Sequence, residues 1–164
     1  MIKGIILDFD QTIADTSMLK KFRDLRQWDA VHKNIDCIVL VEGFDSFYQY
    51  ITQRKLKTCI VSRAPYHKYI KHALKKFNLN FDHVIGYEEG GYKKPSPIPM
   101  IKALELMGLK SNEVMAIGDE IRDSQAARTA GIQNIVLYEM NQFANYCVEN
   151  FNECIEILNK MEGK

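Results

Sequence analysis

The chain has 164 residues, 46% of them hydrophobic, with 22 basic against 21 acidic side chains and a formal net charge of +1. That length suits one domain with a full core, and the near-neutral balance supplies no global field for nucleic acid or an anionic membrane. Asp8 and Asp10 fall inside what a signal peptide would keep apolar, and no apolar run approaches the roughly 18 residues of a membrane span, so a cytoplasmic protein is expected.

In chain order, Ile5-Ile6-Leu7 predicts a strand buried on both faces, the kind found in parallel sheets. It runs into Asp8 and Asp10, whose burial without a counter-charge would cost several kcal/mol, so something cationic is expected beside them. Asp15 to about Ile35 predicts a helix with Met18, Phe22, Leu25 and Trp28 near one face. A second helix is predicted from about Phe44 to Lys55 through Phe47, Tyr48 and Ile51. Thr58-Cys59-Ile60-Val61 reads as a strand, followed by Ser62-Arg63-Ala64-Pro65, where proline suits a helix's first turn, and by a helix through Tyr69, Ile70, Ala73, Leu74 and Phe77. Asp82 to Ile85 is a third strand. Glu88 to Pro99, rich in glycine and proline, is loop around a helix start, and Ile101, Leu104 and Met107 give a helical stripe stopped by Gly108. Glu113 to Ile117 is a fourth strand, Ser124 to Ala130 a helix ended by Gly131, Ile135 to Leu137 a fifth strand, and Phe151 to about Met161 a closing helix.

Strands alternating with helices of crossover length call for an α/β fold, a parallel sheet with helices on both faces. Ligands in such sheets sit at the carboxyl ends of strands. There the polar residues gather: Asp8 and Asp10 after the first strand, Ser62 after the second, Lys94 after the third, Asp119 and Asp123 after the fourth. Carboxylates around one point without histidine or cysteine make a hard-oxygen site suited to Mg²⁺, with substrate phosphate completing its shell. A lysine and a hydroxyl beside it are what a phosphoryl group's outer oxygens need. Cys37, Cys59, Cys147 and Cys154 form no C-x-x-C pair and have no histidine at ligand spacing, which points to reduced thiols rather than zinc or redox chemistry.

Asp8-Phe9-Asp10-Gln11-Thr12, Ser62, Lys94-Pro95-Ser96-Pro97 and Gly118-Asp119-Glu120-Ile121-Arg122-Asp123 together resemble the four ordered motifs of the haloacid dehalogenase superfamily, phosphatase branch. The run Ala126-Ala127-Arg128-Thr129-Ala130-Gly131 is similar to the family's helix beside the site. The resemblance implies a Rossmann-like three-layer sandwich with a five-stranded sheet in the order 3-2-1-4-5 and a small helical cap after the first strand. It implies a Mg²⁺-dependent phosphatase, with Asp8 as nucleophile and metal ligand. Asp10 would be general acid and base, its backbone carbonyl a metal ligand, and Asp119 and Asp123 would complete the metal site. Thr12, Ser62, Arg63 and Lys94 would serve the phosphate, Ser62 by a hydrogen bond, Lys94 by pairing with the nucleophile and Thr12 by supporting the loop. The alternatives are a phosphomutase or other phosphotransferase, or a phosphate- or Mg²⁺-binding protein without turnover.

Gln11 stands where the family commonly has glycine, and Arg63 where asparagine often follows the serine; that arginine faces either substrate or solvent. Residues 1–164 read as a single domain, with 15–43 as a minimal helical cap that leaves the site open to a phosphorylated small molecule or the exposed phosphate of a larger one. Arg23 and Arg26 lie three apart on the expected cap helix, either reaching a substrate's far end or forming an exposed face with Asp24 and Asp29; the plainer reading is the second. Lys68, Lys71, Lys75 and Lys76 read as a solvated face, so nucleic acid enters only as a phosphorylated end serving as substrate. Trp28 reads as an anchor onto the core. Oligomeric state stays open, since Phe151, Ile155 and Leu158 suit the sheet or another subunit equally.

Overall fold

The structure is a computed structural model that describes residues 1–163. Along the chain, β1 (Gly4–Leu7) is followed by an insertion holding β2 (Ala14–Asp15), α1 (Lys20–Asp24), α2 (Trp28–Lys33) and β3 (Val39–Leu40). Then come α3 (Phe44–Gln53), β4 (Lys57–Val61), a π-helical turn at Tyr66–Ile70 leading into α4 (Lys71–Phe77), β5 (His83–Ile85) and α5 (Tyr87–Gly90). The last third holds α6 (Ile98–Met107), β6 (Val114–Gly118), α7 (Ile121–Thr129), β7 (Gln133–Leu137), β8 (Tyr146–Val148) and α8 (Phe151–Met161).

Six strands form one parallel sheet in the order β5-β4-β1-β6-β7-β8. Every residue of β1 is buried, and its pleat sends successive side chains to opposite faces. Ile5 and Leu7 join Ile60, Met115, Ile117 and Leu137 under Phe47, Ile51, Leu74, Phe151 and Leu158 of α3, α4 and α8. Ile6 joins Cys59, Val61 and Ala116 under Met100, Ala103, Met107, Ala126 and Ala127 of α6 and α7. Each fully buried aliphatic side chain of this kind contributes about 1.5–3 kcal/mol, which is why a four-residue strand can anchor both layers.

The expected order of five strands is present, but the sheet has a sixth. Tyr146–Val148 pairs with β7 after a loop rather than a crossover helix, and the Tyr138 amide closes that loop on the Val148 carbonyl at 2.8 Å. Its three residues carry no alternation long enough to mark a strand. The expected cap helix is also broken. Asp15 belongs to the antiparallel pair β2–β3, Arg26 sits in the left-handed region at φ 54°, and Met18 and Leu25 are 45% and 59% exposed. With two of its four supposed anchors in water, the segment has no continuous apolar stripe to hold a long helix. Phe22 and Trp28 do pack on the core, and Trp28 stacks on Tyr69 at 6.2 Å. Lys76, expected in water, donates to the Asp36 and Ile38 carbonyls at 2.7 Å each and ties the insertion to α4. Pro65 precedes its helix rather than opening it. No helix among the described residues is long and apolar enough to cross a membrane.

Candidate functional site

The register of the sheet builds the site. Leu7 is level with Ile60 of β4 and Ile117 of β6, so the three strands end together and Asp8 emerges beside both neighbours. Its amide still donates to the Ile117 carbonyl at 3.0 Å, which fixes the backbone where the acid begins. Lys94 reaches this edge from the loop before α6. Only 3% of it is exposed, and its Nζ donates to Asp8 Oδ1 at 2.7 Å, to Asp123 Oδ1 at 2.6 Å and to the Val61 carbonyl at 2.7 Å. Asp123 is locked from its other oxygen, which accepts the Glu120 amide at 3.0 Å as part of the capping box of α7. The approach needs glycine at the end of β6, because a Cβ on Gly118 would lie 2.4 Å from the Asp123 carboxyl.

Carboxylate oxygens of Asp8, Asp119 and Asp123 lie within 4.8 Å of one another. Three acids facing the single ammonium of Lys94 leave two negative charges unmatched. Burial pushes Asp8 well above the usual carboxylate range; Lys94 pulls it back, while Asp123 and Asp119 push it further up. Burial, followed by Asp123 and Glu120, pushes Asp119 up to about 6. Burial works against the charge of Lys94, but Asp123 and Asp8 outweigh it and hold the ammonium above its ordinary range. A divalent cation would neutralise the excess, and an all-oxygen donor set with open positions fits a hard ion such as Mg²⁺.

Asp10 lies on the loop after β1 and is held from three directions. Thr16 Oγ1 and the Tyr69 hydroxyl each donate to its Oδ1 at 2.8 Å, and Arg23 Nη1 lies 3.3 Å from its Oδ2. The Tyr69 hydroxyl stays protonated, its pKa raised first by burial and then by the Asp10 charge. Between the acids, Gln11 adopts φ 62°, a conformation that favours glycine; its side chain compensates by accepting the Thr16 amide at 2.7 Å. Thr12 is fully buried and donates to Asp119 Oδ1 at 3.1 Å.

Asp8, Asp10, Ser62, Arg63, Lys94, Asp119 and Asp123, from four strand ends, line one cavity of ≈ 380 Å³. Thr12 supports its acids from beneath rather than lining it. The Ser62 hydroxyl accepts the Ala64 amide at 3.1 Å, and Arg63 is exposed at the cavity's edge. At Arg23 the expected exposed face of Arg23 and Arg26 with Asp24 and Asp29 is not what forms. Lys20 takes Asp24 at 2.6 Å, and Arg23 turns inward to Asp10. Thr16 and Tyr69 are the residues that sequence reasoning missed; a tyrosine on the otherwise apolar stripe of its helix was the one available signal for the second.

A family model for haloacid dehalogenase-like hydrolases matches residues 18–137. A pyrophosphatase PpaX of Bacillus mycoides is 24% identical over 136 residues, covering 76% of this chain and 63% of the relative. A phosphoglycolate phosphatase of Aquifex aeolicus is 39% identical over 51 residues, 31% of this chain and 24% of the relative. The chain thus spans less than two thirds of the length of these curated relatives. The solved HAD phosphatase of Thermococcus onnurineus superposes with a TM-score of 0.85 over 96% of this chain and 98% of that one, at 17% identity, which speaks for the fold. With a family model covering well over half of its length, the chain belongs to the haloacid dehalogenase-like hydrolases.

Proposed function

We propose that the protein is a Mg²⁺-dependent phosphatase acting on a phosphorylated small molecule. Residues 1–164 act as one unit, and 15–43 form a small cap over the site. The observation that carries this reading is Lys94 bridging Asp8 and Asp123 with Asp119 alongside, at the carboxyl ends of β1 and β6. Asp8, Asp119, Asp123 and the Asp10 carbonyl would hold the metal. Bound there, Mg²⁺ supplies positive charge against the phosphate and the crowded carboxylates.

Asp8, with one oxygen fixed by Lys94, uses its carboxylate to attack phosphorus. The phosphorus–ester oxygen bond breaks, and Asp10 gives a proton to the leaving oxygen. A water then attacks the phosphorus of phospho-Asp8, Asp10 takes its proton, the phosphorus–Asp8 oxygen bond breaks, and inorganic phosphate leaves. Lys94 and Ser62 steady the transferring group, aided by the Arg63 amide. Thr16 and Tyr69 orient the Asp10 carboxyl for both proton transfers. An insertion this small leaves the cavity open to water, which favours hydrolysis over a mutase that must shield the phosphoenzyme. The relatives named as a pyrophosphatase and a phosphoglycolate phosphatase support a small phosphorylated substrate. The test is turnover of an aryl phosphate with Mg²⁺ at neutral pH. Activity that disappears with a chelator and returns with Mg²⁺ supports the reading, and none above background removes it.

A further inference from the structure

Beyond Asp10 lies a second cavity of ≈ 200 Å³ whose charge is opposite to that of the reaction centre. Arg23, Arg26, Arg63 and Lys93 line it against two acids, Asp10 and Asp24. Arg23 and Arg63 also line the first cavity, so the two guanidiniums stand where the spaces meet. The remaining cations of the first cavity are already engaged: Lys20 with Asp24, Arg122 with Glu120, and Lys94 with Asp8 and Asp123. Arg63 has no hydrogen bond or ion pair among the described residues.

Arg23 is the less easily explained of the two. Its side chain is only 18% exposed, and one nitrogen serves Asp10 at 3.3 Å while its buried Nε has no hydrogen-bond partner. Thr16 and Tyr69 already supply two donors to Asp10 Oδ1, so only one Arg23 nitrogen, at Oδ2, is taken up by this acid. A planar guanidinium with an idle edge, set in a cavity of surplus positive charge, is suited to a planar or tetrahedral anion taken in fork geometry.

Resting on the phosphatase reading above, we infer that the substrate carries a second anionic group, a carboxylate or a further phosphate, which Arg23 and Arg63 receive beyond Asp10. The reaction centre takes the scissile phosphate, and the cationic cavity selects esters whose leaving portion bears charge. Arg23, attached to Asp10, then fixes the second anion and the acid in one frame, so the leaving oxygen falls beside its proton donor.

The test is a binding measurement with phosphonates, whose carbon–phosphorus bond this chemistry does not cleave. Calorimetric titration in Mg²⁺ compares propylphosphonate, 3-phosphonopropionate and propane-1,3-bisphosphonate on the wild type and on Arg23→Gln, Arg63→Gln and Arg23→Lys. The wild type should bind at least one of the doubly anionic compounds about tenfold more tightly than propylphosphonate, and the preferred one identifies the second group. Arg23→Gln should bring the ratio close to one, Arg63→Gln should lower it, and Arg23→Lys should recover part of it. Equal affinities in the wild type, a ratio that survives Arg23→Gln, or no binding of any of the three would overturn the inference. Selective binding without turnover of any phosphate ester would sink the hydrolytic reading and leave this one standing; turnover without selectivity would do the reverse.

Discussion

The sheet edge that carries the acids and the insertion that overhangs it differ in what holds them. β1 is buried throughout and hydrogen-bonded on both sides, so Asp8 has almost no freedom. The insertion is built of two-residue strands and helices of five and six residues, with Met18, Leu25 and Val39 exposed. It is anchored by Leu19, Val31 and Ile38, which are buried in the main core, and by a few tethers: Trp28 on Tyr69, Lys76 on two carbonyls, and Arg23 on Asp10. The difference suggests a division of labour. The sheet supplies a charge arrangement costly to disturb, and the insertion, rooted in the core by Leu19, Val31 and Ile38, offers exposed positions that can be exchanged at little cost to the fold.

The largest effect should follow from Asp8→Asn, which keeps the shape and removes the attacking oxygen's charge. Turnover should fall by roughly a thousandfold or more with the circular dichroism spectrum unchanged, and comparable activity would refute the nucleophile assignment. Lys94→Met should be the most destabilising change at the edge, by about 3–5 kcal/mol in chemical denaturation, because Asp8 and Asp123 lose a buried counter-charge. Gly118→Ala should cost about 1–3 kcal/mol and weaken Mg²⁺ affinity in titration, since the new methyl displaces the Asp123 carboxyl. On the insertion, Leu25→Ser should change stability by less than about 0.5 kcal/mol, its side chain being 59% exposed.

A pH series sharpens the contrast. In the metal-free protein Asp119 is raised to about 6 from an ordinary carboxylate value, so the folded state holds its proton more tightly than the unfolded chain does. That stabilisation is fully present below the ordinary value and is lost as pH rises through about 6, so the metal-free melting temperature should increase from about pH 7.5 to about pH 5. Mg²⁺ should reverse the trend, because the ion needs the deprotonated acids and its protection fades on acidification. Equal pH slopes with and without Mg²⁺ would contradict the account of the acidic cluster.

What could be read from the residues divides along the same line. β1 is legible because a strand buried on both faces of a parallel sheet reads as a continuous apolar run, as Ile5-Ile6-Leu7 does, whereas the order of its neighbours comes from the resemblance of the motifs. The gathering of Asp8, Lys94, Asp119 and Asp123 follows from topology once strand ends are known. The insertion is illegible for the converse reason. Its short elements owe their form to tertiary contacts, as Arg23 illustrates: the local sequence sets it on an exposed face with Asp24 and Asp29, whereas the fold turns it to Asp10. β8 escapes notice because its Tyr146, Cys147 and Val148 gain strand character only from the exposed edge of β7. Tyr69 looks like one more apolar stripe residue until the structure sets its hydroxyl on an acid.

The most direct test of the central claim is rapid-quench mass spectrometry of the enzyme mixed with Mg²⁺ and a phosphate ester. A phosphoryl mass increment on the peptide bearing Asp8, formed and lost within the turnover time and absent from Asp8→Asn, is the predicted result. Steady turnover with that peptide never modified, or with the increment on another residue, would contradict the account.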